Sequence, residues 1–200
     1  MKSRKRFPQV IVALAVAAAL AGCASRPQEH FYTVSTADRA SGDGAELRWI
    51  TLPPIVIPAL IDRPQFVVRT DGHEVAVLEN HRWAEPLSAD LTRALGNDLR
   101  RILPGLRIAG ADTPHSKTTP PILDVVITDL ISGPGPSTSL QASWVLHDRS
   151  GTCTRSGALV AEVPMRVGDA AIPGAYADAM SRLADAIARR IPEEGVCRSD

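Results

Sequence analysis

The chain has 200 residues, with 22 basic and 22 acidic side chains and a hydrophobic fraction of 44%. The balanced charge argues against nucleic-acid binding, because contact with many phosphates requires a surplus of Lys and Arg. The hydrophobic fraction is too high for a disordered chain. The length indicates one domain with its own core and leaves little room for a second.

The first 22 residues have the pattern of a secretory signal. Four of the first six are Lys or Arg, an uncharged run follows from Phe7 to Leu20, and small residues close the run. The run is shorter than the ~20 residues that a membrane-spanning helix needs. We therefore expect residues 1–22 to be a cleaved signal, and an uncleaved N-terminal transmembrane anchor is the alternative.

The signal ends in Leu20-Ala21-Gly22-Cys23, which resembles the lipobox of bacterial lipoproteins. The resemblance implies a diacylglycerol on the Cys23 sulfur, cleavage before Cys23 and an N-acyl chain on the new terminus. Several acyl chains anchor a protein firmly, since each buried methylene contributes ~0.8 kcal/mol. Residue 24 is Ala rather than Asp, which by similarity to enteric lipoproteins predicts the outer membrane, with the body in the periplasm.

The mature chain is mildly acidic. Without the four basic residues of the signal, 18 bases face 22 acids, a formal charge of −4. Such a body gains nothing from lying on anionic lipid, so the anchor alone should hold it at the membrane. Residues 23–30 form a lipidated tether with a reach of about 25 Å, and residues 31–200 form the domain.

The first half of the domain is predicted to contain four strands and one helix. The predicted strands are residues 31–34, 47–52, 65–69 and 74–78, the last two forming a hairpin around Asp71-Gly72. An apolar stripe at helical spacing follows Pro86, and Pro104-Gly105 ends this helix. The stripe consists of Leu87, Leu91, Leu95, Leu99 and Ile102.

Between the second and third strands lie nine uncharged residues, Pro53–Ile61, three of which are proline. Prolines at this spacing exclude a helix and disfavour a central strand. One interpretation is an extended segment that covers the core. The other is an apolar edge that contacts a partner.

The second half alternates in the same way. Residues 106–109 are predicted as a strand, 112–120 as a loop, 122–131 as a central strand, and 139–147 with 152–163 as a second hairpin. A last apolar stripe runs from Tyr176 to Ile191 and predicts a helix that stops at Pro192. We therefore predict a single-domain α/β (α+β) fold, in which a mixed β-sheet is covered by two amphipathic helices.

Motifs of catalysis and metal binding are missing from the sequence. It has no phosphate-binding glycine loop, no paired His around a Glu and no nucleophile elbow. Its five histidines are scattered, so we expect no metal, no cofactor and no enzymatic activity. Asp124 and Asp129 lie in the predicted central strand, where we expect Asp124 to point away from the core or to meet an arginine.

Two cysteines remain after lipidation of Cys23. Cys153 and Cys197 could form a disulfide in an oxidising periplasm. The bridge would close a loop of about 45 residues and add ~3–4 kcal/mol in the chain-entropy account. The alternative is that both thiols stay free, since the sequence does not fix the distance between them.

Three strings of the mature chain are distinctive: Leu52-Pro53-Pro54-Ile55-Val56-Ile57-Pro58, Asp62-Arg63-Pro64-Gln65-Phe66 and Arg82-Trp83-Ala84-Glu85-Pro86-Leu87. Together with the lipobox and Phe31-Tyr32-Thr33-Val34, this set resembles the ABC-type transport auxiliary lipoproteins, the family of paraquat-inducible protein C. The similarity covers essentially the whole mature chain.

The resemblance implies a non-catalytic, periplasm-facing lipoprotein of an MCE-type system that moves lipid between two membranes and maintains envelope integrity. Its implied partners are an MCE-domain protein and an inner-membrane permease-like protein, and the family also includes homo-oligomeric rings. Residues 53–69 would then contact another subunit. The candidate contact residues are Pro53, Pro54, Ile55, Ile57, Pro58, Asp62 and Arg63. Trp83 is more simply a structural side chain that packs the following helix on the sheet.

Two other functions compete with this one. A structural envelope lipoprotein would hold a secretion or cell-wall complex in place without handling lipid. A lipoprotein hydrolase would need a site assembled from distant residues, and the missing nucleophile motif counts against it.

Overall fold

A computed structural model describes residues 28–34, 48–109, 120–150 and 154–191. These residues form eight strands and two helices. The strands are β1 (His30–Tyr32), β2 (Arg48–Thr51), β3 (Gln65–Asp71), β4 (Glu74–Trp83), β5 (Leu106–Ala109), β6 (Ile122–Ser132), β7 (Ser137–His147) and β8 (Thr154–Pro164). The helices are α1 (Leu87–Ile102) and α2 (Ile172–Ala188).

All eight strands belong to one mixed sheet built around β6. On one side, β6 pairs antiparallel with β7, which pairs antiparallel with β8. On the other side, β6 meets β2 at its beginning and β3 at its end, both in parallel. β5 extends β2 in parallel, whereas β4 pairs antiparallel with β3 and parallel with β1. The predicted mixed sheet with two helices is therefore confirmed.

The central strands alternate between a buried and an exposed face. In β7, Leu140, Ala142, Trp144 and Leu146 are buried while the residues between them are exposed. Such alternation is expected of a strand with one face on the core. The pattern of β6 shifts near Thr128, where a bulge breaks the register with β7.

Both helices bury the predicted apolar stripes. Leu91, Leu95 and Leu99 of α1 are fully buried, as are Met180 and Leu183 of α2. The helices pack on each other, and α2 packs on β7 and β8. This two-layer arrangement of helices on a sheet buries both apolar stripes in one core.

An aromatic group joins the sheet to α2. The ring of Trp83 lies 4.2 Å from that of Phe66 and 5.3 Å from that of Tyr176, measured between centroids. Trp83 is buried, as a structural side chain should be, but its ring contacts the last helix, α2, rather than the helix that follows it. The buried Tyr176 hydroxyl donates to the Leu130 carbonyl at 3.1 Å, and burial raises the pKa of this hydroxyl.

Candidate functional site

The predicted lipidation site and the two other cysteines lie outside the described residues. The structure therefore does not test the predictions for Cys23, Cys153 and Cys197. The same holds for the signal, for residues 112–119 of the predicted loop and for the tether before residue 28. Within the described part, no helix is both long enough and apolar enough to cross a membrane.

The candidate contact segment, residues 53–63, fills the gap between β2 and β3 along the edge of β6. Val56 N–H donates to the Val125 carbonyl at 3.1 Å, and Ile127 N–H donates to the Val56 carbonyl at 2.9 Å. Both bonds are those of a parallel bridge between Val56 and Val126. The segment thus adds one residue to the sheet. Its prolines cannot donate backbone hydrogen bonds, which prevents a longer strand.

The side chains of the segment divide into two sets. Ile55 and Ile61 are buried in the core, at 2% and 3% exposure, and so cannot touch a partner. Val56 and Leu60 are 59% and 45% exposed. Of the remaining predicted contact residues, Pro53, Ile57 and Pro58 are half-buried, and Pro54, Asp62 and Arg63 are exposed. The segment therefore covers the core, as the first interpretation predicts. It also presents exposed apolar side chains, as the second interpretation predicts.

Two further contacts fix the shape of this segment. Ile55 N–H donates to the Thr92 hydroxyl of α1 at 2.9 Å, and that hydroxyl donates to the Ser88 carbonyl. The Pro58 carbonyl accepts from the N–H groups of Ile61 and Asp62, which forms a turn. Leu60 lies at this turn, so its exposed side chain is held by a defined backbone.

A buried carboxylate, Asp90, holds the N-terminal segment on α1. Asp90 accepts from Val34 N–H at 2.6 Å and from the Thr33 hydroxyl at 2.9 Å. It also pairs with Arg93 at 2.8 Å, and Arg93 reaches Glu85. These contacts raise the pKa of Arg93, chiefly through its hydrogen bond to Glu85. The two residues that follow β1 are thereby attached to α1 through a buried carboxylate.

Sequence reasoning missed this role of Asp90, although a signal was present. Asp90 lies three residues after Leu87 and four before Ala94, which places it on the buried stripe of α1. A carboxylate on an apolar helix face needs hydrogen-bonding partners. The partners themselves come from residues 33 and 34, more than fifty positions away, which periodicity does not identify.

The two acidic residues of β6 lie on the open face of the sheet. Asp124 is 52% exposed and accepts from, or pairs with, His147 Nε2 at 2.9 Å. The prediction that Asp124 points away from the core is confirmed. Asp129 lies 3.7 Å from the Arg69 guanidinium and also accepts from the Ser139 hydroxyl.

The described histidines do not assemble into a metal site. His30 and His81 lie opposite each other in β1 and β4, with ring centroids 5.7 Å apart. Within residues 28–34, 48–109, 120–150 and 154–191, no group of three or more His, Cys, Asp or Glu side chains is placed to hold a metal ion.

Comparison with known proteins identifies the family. The family model of the ABC-type transport auxiliary lipoprotein component matches residues 32–188. The chain belongs to this family. The resemblance drawn from the proline-rich segment and the Arg82–Leu87 string is therefore confirmed, and the auxiliary lipoprotein is a membrane-associated component of a transport system.

Solved structures share the fold of this auxiliary lipoprotein. A crystal structure of an uncharacterized protein superposes with a TM-score of 0.67 at 18% identity, covering 82% of this chain and 98% of that one. Protein XCC0632 from Xanthomonas campestris, of the family DUF330, gives 0.57 at 15% identity, covering 79% and 92%. Among curated proteins, none matches the chain.

Proposed function

We propose that this auxiliary lipoprotein is anchored by Cys23 in the outer membrane, faces the periplasm, and serves as a non-catalytic subunit of an MCE-type intermembrane lipid transport system. Family membership over residues 32–188 carries the proposal. The lipobox at residues 20–23 and Ala24 after the cysteine support the anchor and its membrane.

Residues 53–63 are the proposed contact with an MCE-domain protein, which an inner-membrane permease-like protein would accompany. Val56 and Leu60 supply exposed apolar area on a fixed backbone. Binding energy in protein interfaces is concentrated in a few well-held apolar anchors. We therefore assign the contact to Leu60, Val56, Pro54 and the adjoining Asp62 and Arg63, and the buried Ile55 supports them from the core.

Affinity purification of the tagged, lipidated protein from cross-linked cells tests the proposal. We expect an MCE-domain protein to co-purify, and the Leu60→Glu variant to recover about tenfold less of it. Val160→Glu is the matched control, because Val160 is an exposed apolar residue on β8, away from the segment. Recovery of a peptidoglycan or secretion component in place of an MCE protein would support the structural lipoprotein instead.

Loss of the anchor provides a second test. Cys23→Ala should leave a soluble or signal-retaining protein that no longer supports envelope integrity, measured as survival in detergent. Full complementation by this variant would contradict the anchored function.

A further inference from the structure

A cavity of about 450 Å³ opens at the end of the sheet where β3, β6 and β8 finish and α2 begins. The turn between β6 and β7, with Pro134 and Pro136, forms one wall. The loop from β8 to α2, with Met165 and Val167, forms the other, and Val68 and Ile172 contribute from β3 and α2. The volume lies in the range of small-ligand sites.

The surroundings of this cavity favour an apolar occupant. The hydroxyl of Ser132, a lining residue, already has a partner, since it binds the buried Thr138 hydroxyl at 2.7 Å. Thr138 also lies 3.9 Å from the Met165 sulfur. Val167 is 93% exposed at the rim. Covering such an exposed apolar side chain with a ligand is favourable, because it removes apolar surface from water.

Gly133 allows this wall to form. Its φ is +87°, and a Cβ at this position would come within 2.5 Å of the Arg69 carbonyl of β3. Only glycine adopts both this conformation and this close approach without strain. Arg69 is among the lining residues, and its partly exposed guanidinium pairs with Asp129 at 3.7 Å.

The start of β1 faces the same end of the molecule. β1 runs parallel to β4 with His30 opposite His81, so its first residue is on the side of Glu74 and the β3–β4 turn. His81 is seven residues from Glu74, about 24 Å along a strand. Cys23 is also seven residues from His30, a reach of at most about 25 Å.

We propose that this cavity binds one acyl chain of a membrane lipid. The inference rests on the anchor at Cys23 from the proposed function but not on an MCE partner. The chain enters past Val167, lies against Met165 and Ile172, and leaves its headgroup outside the opening. Its source is either the surrounding bilayer or the acyl groups on Cys23 itself, since the chemistry of the chain is the same.

Photolabelling tests the proposal with the mature lipidated protein in phosphatidylcholine vesicles. In one preparation, the phosphatidylcholine carries a diazirine at the end of an acyl chain. In the other, the protein comes from cells fed the diazirine fatty acid and is moved to unlabelled vesicles. We expect label in the tryptic peptides 156–166 and 167–182, which contain Met165, Val167 and Ile172.

Variants at two exposed valines make the result specific. Val167→Asp should lower this labelling about tenfold, because a carboxylate at the rim disfavours a hydrocarbon chain. Val160→Asp, at a residue 77% exposed on β8, should leave it unchanged. Both changes replace exposed side chains, and a thermal melt of each variant establishes that the fold persists.

The outcomes separate the sources and the alternatives. Cavity label in the first preparation supports a bilayer lipid, and label only in the second supports the chains on Cys23. Label in neither, or equal label in wild type and Val167→Asp, overturns the proposal. The intact mass of the protein in the same sample shows independently whether Cys23 is acylated. An acylated protein with an unlabelled cavity would therefore contradict this inference and leave the proposed anchor standing.

Discussion

The two edges of β6 are built in different ways. Along one edge, β7 pairs with β6 through ten residue pairs, interrupted only by the bulge near Thr128. Along the other, three separate pieces follow one another: β2 at Ile122, Val56 at Val126 and β3 at Ser132. A continuous hairpin thus supplies the regular edge, and a proline-rich segment completes the broken one.

This difference bears on the proposed contact surface. The regular edge satisfies its backbone by local pairing and uses its alternate side chains for the core. The broken edge includes a segment that contributes Ile55 and Ile61 to the core while Val56 and Leu60 stay exposed. A segment held by two buried side chains and a few hydrogen bonds can present a contact surface without belonging to a long strand.

The largest expected effect concerns the side chains that hold the broken edge. Ile55→Ala should lower the free energy of unfolding by about 2–5 kcal/mol, since it leaves a cavity in the core. The adjacent Val56→Ala should change it by no more than about 0.5 kcal/mol, because Val56 is 59% exposed. Urea denaturation measures both free energies of unfolding. Equal decreases in the two variants would contradict the division of the segment into buried and exposed side chains.

A smaller effect is expected where the regular edge is tightly packed. A Cβ at Gly157 of β8 would come within 2.8 Å of the buried Trp144 ring, whereas at Gly135 it would meet nothing within 4 Å. Gly157→Ala should therefore cost about 1–3 kcal/mol by overpacking. Gly135→Ala is the control in the same denaturation experiment. A neutral Gly157→Ala would show that β8 is free to move away from Trp144.

The smallest expected effect concerns His147 and Asp124, which pair on the open face of the sheet. The hydrogen bond of His147 to Asp124, with a further one to the Asp148 carbonyl, raises the pKa of His147. The resulting stabilisation is present in full below the unfolded pKa of about 6.5 and is lost as the pH rises through the higher folded value. Because His147 lies at the surface, we expect only a slight change in unfolding midpoint.

Nuclear magnetic resonance titration measures this pKa directly. The midpoint of His147 should lie above about 6.5 and should fall in Asp124→Asn. An unchanged midpoint in the variant would show that Asp124 does not hold the imidazolium. Glu162→Gln, a charge removed from the same face of the sheet at β8, is a suitable control.

Elements defined by local periodicity could be predicted from the sequence. The alternation of β7 and the stripe of α1 appear where expected, and α1 begins at Leu87. The stripe of α2 starts four residues before Tyr176, at Ile172, because Pro173 is tolerated in the first helical turn. β4 extends five residues past the predicted Leu78, since its polar residues pair with β1 and β3.

Features that depend on distant partners could not be predicted. The parallel pairing of β1 with β4, the Val56 bridge and the Asp90 contacts each join residues that are far apart in sequence. Proline spacing in residues 53–61 argued against a central strand, and it did not indicate that a single residue could still bridge to β6. Which side chains of that segment reach the core depends on this bridge.

The most direct test of the account is the intact mass of the native protein, purified from membranes in detergent. We predict a chain that begins at Cys23 and carries a diacylglyceryl group and an N-acyl chain, recovered in the outer-membrane fraction. A chain that begins at Met1, or one that begins at Cys23 without lipid, would contradict the anchored transport component.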